Sequence, residues 1–244
     1  MISVIPKLIH YCWFGGNSKP ALVRKCIESW KKFMPDYEII EWNESNYDVN
    51  KVPFTNEAYQ CKKWAFVSDY ARFDVINQYG GIYFDTDVEL IKSIPDTILQ
   101  NKAFTGFEYA GNVSPGLIFA ATAGNRVTEE ILARYDNLHF LQNGKMKFLT
   151  VNMIITDILK PYGLVQNNEY QVVNELTIYP SEYFCGFDQD IKEILVTDKT
   201  ISIHHYAGTW AKKSLKRLLS NYIKKLFGVN MYRKILRIKR LLNI

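Results

Sequence analysis

Several common catalytic signatures are missing from this sequence of 244 residues. It has no Gly-x-x-x-x-Gly-Lys-Ser/Thr phosphate loop, no Gly-x-Ser-x-Gly nucleophile elbow and no His-Glu-x-x-His zinc motif. Its four cysteines form no Cys-x-x-Cys pair and no zinc-ribbon spacing, so we interpret them as small buried side chains in a reducing compartment. These absences argue against a P-loop nucleotidase, a serine hydrolase of the elbow type and a zinc protease.

The sequence also lacks a long hydrophobic run. Pro6 and Lys7 interrupt the only apolar stretch near the N-terminus, so we predict no secretory signal. The longest uncharged run, residues 109–125, contains Pro115 and several glycines, whereas a membrane-spanning helix needs about 20 mostly apolar residues. We therefore predict a cytoplasmic protein, in which 48% hydrophobic residues suffice for an ordered core.

Acidic residues are absent from one segment, residues 212–244, which holds eleven Lys and Arg. The net charge of the whole chain is +5 and that of residues 212–244 is +11, so the net charge of residues 1–211 is −6. Leu215, Leu219 and Tyr222 belong to an apolar stripe flanked by the cations. We predict a catalytic domain followed by a basic amphipathic helical tail that lies on the anionic inner face of the cell membrane. The alternative is a stripe that packs on the body or on another subunit; the stripe argues against nucleic acid as a partner.

Strand and helix signals alternate along the body. The apolar strand at residues 8–14 is followed by a helix at residues 20–33 and a strand at residues 37–42, which suggests a βαβ unit. A long helix at residues 63–79 ends at two glycines and leads into a short strand at residues 82–84. Further strands are predicted at residues 88–91, 103–107, 116–121 and 200–205, and further helices at residues 126–141 and 151–159. The order predicts an α/β fold with a mixed, mainly parallel sheet.

Asp85 and Asp87 form the sharpest chemical signal. Residues two apart in an extended chain project to the same side, so both carboxylates point into one place after an apolar strand. Two such charges repel each other unless a cation lies between them, and Mg²⁺ and Mn²⁺ prefer oxygen ligands that they share with phosphates. The alternative is an exposed acidic turn.

Three further features are candidates for the same site. Asp69 and Arg72 share a face of an otherwise apolar helix, where they form either a pocket wall or an ordinary ion pair. His204-His205 follows the last strand and could add an imidazole ligand, or be ordinary packed side chains. Trp13 precedes two glycines at a strand end, where it could stack on a base or be core.

The motifs resemble a known family. Residues 5–16, Ile-Pro-Lys-Leu-Ile-His-Tyr-Cys-Trp-Phe-Gly-Gly, resemble the opening of bacterial capsular polysaccharide glycosyltransferases of the Asp-x-Asp sugar-binding family, glycosyltransferase family 32. This group includes yeast initiating mannosyltransferases, and its core is similar to that of clostridial glucosylating toxins. Residues 68–73 and 79–87 match the central block of the family, and His204-His205 with Thr209-Trp210 resembles its closing motif.

The resemblance implies a GT-A-like fold with a Rossmann-like nucleotide half, and transfer with retention of configuration. It implies that Trp13 stacks on the base, and that Asp69 and Arg72 hold the donor sugar and its phosphates. It implies that Tyr83 contacts the nucleotide or the diphosphate and that Asp85 contacts the ribose and the sugar. It further implies that Asp87 and His205 bind the metal, with Asp85 nearby, and that Trp210 caps the β-phosphate. Catalysis is expected of Asp85, Asp87 and Arg72.

We therefore predict a metal-dependent, retaining hexosyltransferase with a Mn²⁺ or Mg²⁺ cofactor. Its donor would be a nucleotide diphosphate sugar, with UDP favoured, and its acceptor a glycan or a lipid-linked saccharide in polysaccharide biosynthesis. Two alternatives remain at this stage: a metal-dependent hydrolase of nucleotide sugars or phosphodiesters, and a non-catalytic membrane-surface adaptor built around the basic tail.

Overall fold

The computed structural model describes residues 5–108, 111–146, 149–188 and 193–207. Its helices are α1 (Ala21–Phe33), α2 (Pro53–Gln60), α3 (Trp64–Tyr79), α4 (Asp96–Leu99), α5 (Arg126–Tyr135), α6 (Val151–Leu159) and α7 (Ser181–Phe184), with a 3₁₀ turn at Lys160–Tyr162. Its strands are β1 (Leu8–Cys12), β2 (Glu38–Trp42), β3 (Gly81–Tyr83), β4 (Val88–Leu90), β5 (Ala103–Gly106), β6 (Phe119–Ala121), β7 (Leu141–Gln142), β8 (Lys145–Met146), β9 (Gln171–Val173), β10 (Leu176–Tyr179), β11 (Phe187–Asp188), β12 (Glu193–Ile194) and β13 (Ser202–His204).

Seven strands form the central sheet in the order β2-β1-β3-β6-β5-β10-β9. The pairs β2–β1, β1–β3 and β5–β10 are parallel, whereas β6 runs against both its neighbours and β9 runs against β10. Five strands therefore share one direction, and only β6 and β9 are reversed. This confirms the prediction of an α/β fold with a mixed, mainly parallel sheet.

Two layers of buried side chains cover the faces of this sheet, because successive residues of a strand point to opposite sides. On β1, Ile9 and Tyr11 belong to the core beneath α1, and Cys12 belongs to the core beneath α3, α5 and α6. Helix α3 is buried around most of its circumference, which explains why its sequence is apolar on nearly every side. The few polar side chains that it carries are therefore held in fixed positions.

The Gly80-Gly81 pair ends α3 and starts β3, as the sequence predicted. Gly80 has φ +65°, Gly81 has φ +111°, and both angles favour glycine. A Cβ on Gly81 would lie 2.7 Å from the carbonyl oxygen of Leu8 and 2.9 Å from Nε2 of His10. The pair lets the chain reverse closely against β1, which places the end of β3 beside the end of β1.

His10 is fully buried in β1 and links this reversal to the sheet. Its Nδ1 accepts the indole N–H of Trp42 at 3.1 Å, so its Nε2 carries the hydrogen and donates to the carbonyl oxygen of Gly80 at 2.8 Å. Burial lowers the pKa of His10 from its ordinary value of 6.5 to about 4. The imidazole is therefore neutral in the folded protein.

We expect His10 to make the protein less stable in mild acid. The unfolded chain protonates this imidazole near pH 6.5 and the folded chain only near pH 4, so its contribution is complete above 6.5. It is lost as the pH falls from 6.5 to 4, to a limit of about 3 kcal/mol of unfolding free energy. Denaturant unfolding of the wild type and of His10→Phe across this range measures the difference, and parallel stability curves would contradict it.

The element boundaries differ from the predictions in several places; the strand predicted at residues 116–121, for example, begins only at Phe119. The helix predicted to extend from residue 126 to 141 ends at Tyr135, and Leu141 already begins the short strand β7. Helix α2 was not predicted; it starts with Pro53 in its first turn and packs Phe54 and Ala58 into the core. The predictions for α1, α3 and α6 agree with the structure within one residue at each end.

The described residues contain no helix that is both long enough and apolar enough to cross a membrane. Cys12, Cys26 and Cys185 are buried and Cys61 is exposed, and the described part of the chain has no disulfide. The boundary predicted at residue 212 and the basic tail at residues 212–244 lie outside the described residues.

Candidate functional site

The site lies where β1 and β3 end side by side. These strands are parallel, with Ile9 opposite Ile82 and His10 opposite Tyr83, and the N–H of Phe84 donates to the carbonyl oxygen of His10 at 3.1 Å. The residues that follow the two strands, up to Trp13 on one and Asp87 on the other, leave the same edge of the sheet. Ligands of open α/β sheets bind outside this carboxyl edge.

Asp85 sits at the base of this cleft, and the backbone of Gly116 passes close to it. The N–H of Asp85 donates to the carbonyl oxygen of Gly116 at 3.0 Å, and Oδ1 of Asp85 accepts the Tyr83 hydroxyl at 3.2 Å. A Cβ on Gly116 would overlap Oδ2 of Asp85, so this position has room only for glycine. Asp85 is thereby held between β3 and the segment that leads into β6.

Arg72 lies between two carboxylates and is only 3% exposed. Its Nη2 donates to Oδ1 of Asp69 at 2.7 Å, its Nη1 lies 3.3 Å from Oδ1 of Asp85, and its guanidinium stacks 4.8 Å from the ring centre of Tyr83. Among the described residues Nη1 has no hydrogen-bond partner. A buried guanidinium nitrogen without a partner is costly, and an anionic ligand in the cleft would satisfy it.

The two carboxylates beside Arg72 are held in a low-dielectric environment. Burial raises the pKa of Asp69 to about 7, although the charge of Arg72 opposes this shift. Burial also raises the pKa of Asp85; Arg72 opposes the shift, and the nearby charge of Asp87 adds to it. A cation between Asp85 and Asp87 would reduce the electrostatic repulsion between the two carboxylates.

Asp87 is paired with an imidazole and a backbone N–H. Its Oδ1 lies 3.0 Å from Nε2 of His204, and its Oδ2 accepts the N–H of Ala207 at 2.8 Å. Burial alone would raise the pKa of Asp87, but the charge and the hydrogen bond of His204 outweigh it and lower the pKa to about 2. Burial would lower the pKa of His204, and Asp87 raises it above its ordinary value.

Asp85, Asp87 and His204 offer ligand atoms that all lie within 4.8 Å of one another. Two carboxylates with one imidazole form a donor set that suits Mn²⁺ and also accepts Mg²⁺. Nδ1 of His204 is buried and has no hydrogen-bond partner in the described part of the chain. The residues present therefore fit a divalent cation.

His205, which the sequence predicted as the metal ligand, points elsewhere. Its Nε2 lies 2.8 Å from Oε2 of Glu89, which also pairs with Lys25 at 2.8 Å. The physical reason is the pairing of β13 with β4, which sets His204 opposite Val88 and so beside Asp87. Neighbouring residues at a strand end face opposite sides, so only one of the two imidazoles reaches the aspartates.

We expect the two histidines to differ in metal affinity. His204→Ala should weaken Mn²⁺ binding by at least about tenfold, because it removes a candidate ligand and the partner of Asp87. His205→Ala is the matched control and should change the affinity by less than about threefold. Calorimetric titration of Mn²⁺ into each variant measures this, and a larger loss for His205→Ala would return the ligand role to that residue.

Trp13 follows β1 and is partly exposed beside the cleft. Its indole N–H donates to the carbonyl oxygen of Asn17 at 2.7 Å, and Nζ of Lys19 lies 6.0 Å from its ring centre. The loop after it borders an open cavity of about 680 Å³ lined by Gly15, Gly16, Asn17, Glu44, Tyr59, Lys62 and Trp64. Trp210, predicted to cap the β-phosphate, lies outside the described residues.

The sequence analysis missed two polar residues near the aspartates. Glu108 follows β5 and Asn152 lies in the first turn of α6, and they are joined by a hydrogen bond of 3.2 Å. The hydroxyl oxygen of Ser114 lies 3.4 Å from the same amide nitrogen of Asn152. Glu108 and Asn152 are 44 positions apart, so no local spacing signals that they meet.

Comparisons with known proteins agree with this geometry. Residues 20–105 match the family model described as a glycosyltransferase sugar-binding region containing the DXD motif. The chain is 30% identical over 111 residues to the uncharacterized glycosyltransferase L373 of Acanthamoeba polyphaga mimivirus. That match covers 43% of this chain and 44% of the relative, so it spans less than half of either protein.

Two solved structures share the fold. The PaToxG glycosyltransferase superposes with a TM-score of 0.50 at 19% identity, over 65% of this chain and 70% of that one. A glycosyltransferase involved in the glycosylation of the major capsid of PBCV-1 gives a TM-score of 0.50 at 10% identity, over 83% of this chain and 95% of that one. The chain thus has the GT-A-like glycosyltransferase fold. Its residues 20–105, which contain Asp69, Arg72, Asp85 and Asp87, are similar to the sugar-binding region of the DXD glycosyltransferases.

Proposed function

We propose that this protein is a retaining, metal-dependent glycosyltransferase that moves a hexose from a nucleotide diphosphate sugar to a glycan or lipid-linked acceptor. One observation carries the proposal: Asp85, Asp87 and His204 converge at the edge of the sheet where Arg72 presents an unsatisfied buried nitrogen. A cation site next to a guanidinium suits a diphosphate, which carries negative charge on both phosphates.

The donor is proposed to lie along the cleft between these groups. Asp69 and Arg72 hold the sugar and its phosphates, with Tyr83 beside them, and Asp85 and Asp87 face the diphosphate. Trp13 and the adjacent open cavity, which is lined by Tyr59 and Trp64, offer aromatic surface to the nucleoside. The resemblance of residues 5–16 to the opening of capsular polysaccharide enzymes supports a role in polysaccharide biosynthesis, and a UDP-sugar is the donor that we favour.

Transfer breaks the bond between the anomeric carbon and the β-phosphate oxygen, and the electron pair leaves with the nucleoside diphosphate. A divalent ion held by Asp85, Asp87 and His204 would supply Lewis-acid stabilisation to the charge that develops on the leaving group. Arg72 donates to the same developing charge from a buried position, where a fixed donor is most effective. The acceptor hydroxyl attacks from the face that the diphosphate leaves, and its proton passes to the departing phosphate, which retains the configuration.

A screen of nucleotide sugars with Mn²⁺, scored by release of nucleoside diphosphate, tests the proposal. The expected result is release from one donor, dependent on Mn²⁺ and absent in Asp87→Asn. Products are then separated with and without a saccharide acceptor: a new glycoside supports a transferase, whereas free sugar alone in the presence of acceptors favours the alternative of a nucleotide-sugar hydrolase. No metal-dependent binding of any nucleoside diphosphate would contradict both enzymes and favour the non-catalytic adaptor.

The membrane role of residues 212–244 is a further part of the proposal. It rests on the eleven cations and the apolar stripe of this segment, and it would place the enzyme peripherally on the cytoplasmic face of the membrane. Deleting residues 214–244 should remove most co-sedimentation with phosphatidylglycerol vesicles, while phosphatidylcholine vesicles bind neither form. Equal binding of the full and shortened chains to the anionic vesicles would refute this role.

A further inference from the structure

Glu108 follows β5, and its carboxylate accepts three side-chain hydrogen bonds. Its Oε1 accepts hydrogen bonds from Nδ2 of Asn112 at 3.3 Å and Nδ2 of Asn152 at 3.2 Å, and its Oε2 accepts the hydroxyl of Tyr206 at 3.4 Å. These partners come from the loop after β5, from α6 and from the segment after β13. Three separate parts of the chain thus converge on one carboxylate.

This carboxylate lies close to the candidate metal and donor groups. The ring centre of Tyr206 is 4.0 Å from that of His204, so Tyr206 separates Glu108 from His204, which in turn pairs with Asp87. The first residues of α6 connect it to the donor side: Asn152 bonds to Glu108, and the N–H of the preceding Val151 helps to stabilise the carboxylate of Asp69. The first turn of α6 therefore contacts both Glu108 and Asp69, which brings Glu108 near the residue proposed to hold the donor sugar.

Among the residues that the structure describes, no cation is in direct contact with the carboxylate of Glu108. No salt bridge formed within the described ranges includes Glu108, and its three partners are neutral amides and a phenol. Burial accordingly raises the pKa of this carboxyl group. A neutral side chain would pack there at a lower cost, so a carboxylate at this position suits a ligand that needs a strong hydrogen-bond acceptor.

The set of groups fits sugar hydroxyls. Glu108, Asn112, Asn152 and Tyr206 all remain partly exposed, which leaves them accessible from the cleft. A carboxylate accepts hydroxyl hydrogens, an amide both donates and accepts, and a tyrosine ring provides an apolar face for a sugar ring. Saccharides present all three kinds of group on one surface.

We propose that Glu108, together with Asn152 and Tyr206, binds hydroxyl groups of the acceptor saccharide and sets the direction from which it approaches the donor. This inference rests on the proposed function, because an acceptor subsite has meaning only beside a donor site. Glu108 binds the acceptor, and it takes no part in breaking the bond between the anomeric carbon and the β-phosphate oxygen of the donor.

The test compares Glu108→Gln with the matched control Glu175→Gln, an exposed glutamate that pairs with Lys102 on the surface. Saturation-transfer NMR measures saccharide binding directly. The ligands are a panel of methyl glycosides of hexoses and N-acetylhexosamines, and the samples contain UDP and the diamagnetic ion Mg²⁺. Where a panel member accepts sugar, steady-state transfer gives KM for the acceptor and for the donor separately.

The expected result for Glu108→Gln is an acceptor KM at least about tenfold higher, with the matching loss of saccharide signal, because a charge-assisted hydrogen bond is lost. Affinity for UDP and the midpoint of thermal unfolding should equal those of Glu175→Gln. Tyr206→Phe removes one hydroxyl while keeping the ring, and should raise the acceptor KM by a smaller factor even if Glu108→Gln folds poorly.

Three results would overturn the inference. One is binding of no methyl glycoside by the wild type, and another is an acceptor KM in both variants equal to that of Glu175→Gln. The third is a Glu108→Gln variant that loses donor hydrolysis and sugar transfer to the same extent, since this would show that Glu108 acts on the donor rather than on the acceptor. Failure of the proposed function is distinguishable, because it appears in the wild type as no metal-dependent release of nucleoside diphosphate from any donor.

Discussion

Asp87→Asn should lower kcat/KM for sugar transfer by at least about a thousandfold. The substituted amide would keep the shape of the side chain but lose the charge that faces both the cation and His204, and such electrostatic groups contribute several kcal/mol to a transition state. Asp85→Asn should be similarly severe, since it also removes a partner of Arg72. Donor turnover and Mn²⁺ affinity are the two measurements.

The matched control for these changes is Asp157→Asn, a surface aspartate on α6 that pairs with Lys160 at 2.9 Å. Its effect on turnover should be negligible, because exposed ion pairs contribute little. The fold of Asp87→Asn should survive, since an amide oxygen can still accept the N–H of Ala207. An Asp87→Asn protein with wild-type turnover would sink the proposed site.

Arg72→Met should reduce both activity and stability. The sequence left open whether Asp69 and Arg72 form a pocket wall or an ordinary ion pair. In the structure Arg72 is 3% exposed and lies between Asp69 and Asp85. Breaking a buried pair leaves an uncompensated charge, which costs about 3 kcal/mol of unfolding free energy. Protonation of Asp69, whose pKa is already raised to about 7, limits this loss.

A double variant separates the two effects. Arg72→Met with Asp69→Asn removes the uncompensated carboxylate and should recover much of the stability, yet transfer should remain at least about a hundredfold below wild type. Arg126→Met is the control, because its exposed pair with Glu130 should contribute less than about 1 kcal/mol. Recovery of full activity in the double variant would show that Arg72 acts only through stability.

Features that depend on local spacing could be predicted from the sequence. Helix α3, its end at Gly80-Gly81 and the strand that leads to Asp85 all follow from periodicity and glycine placement within about 25 residues. The same locality misled the prediction for α5. The apolar pattern continues after Tyr135, but Leu138 and Phe140 lie in a loop that leads to the short strand β7. Hydrophobic periodicity predicts which face of a helix is buried, but it does not predict the residue at which the helix ends.

Features that depend on pairing between distant segments required the tertiary structure. The Asp85–Asp87 pair, the Asp69–Arg72 helix face and the α/β alternation could be predicted without it, because each follows from backbone geometry over a few residues. Only the fold decided that His204 rather than His205 faces Asp87, since that depends on the register of β13 against β4. Only the fold brought Glu108 to Asn152 and Tyr206, because long-range packing has no signature in local spacing.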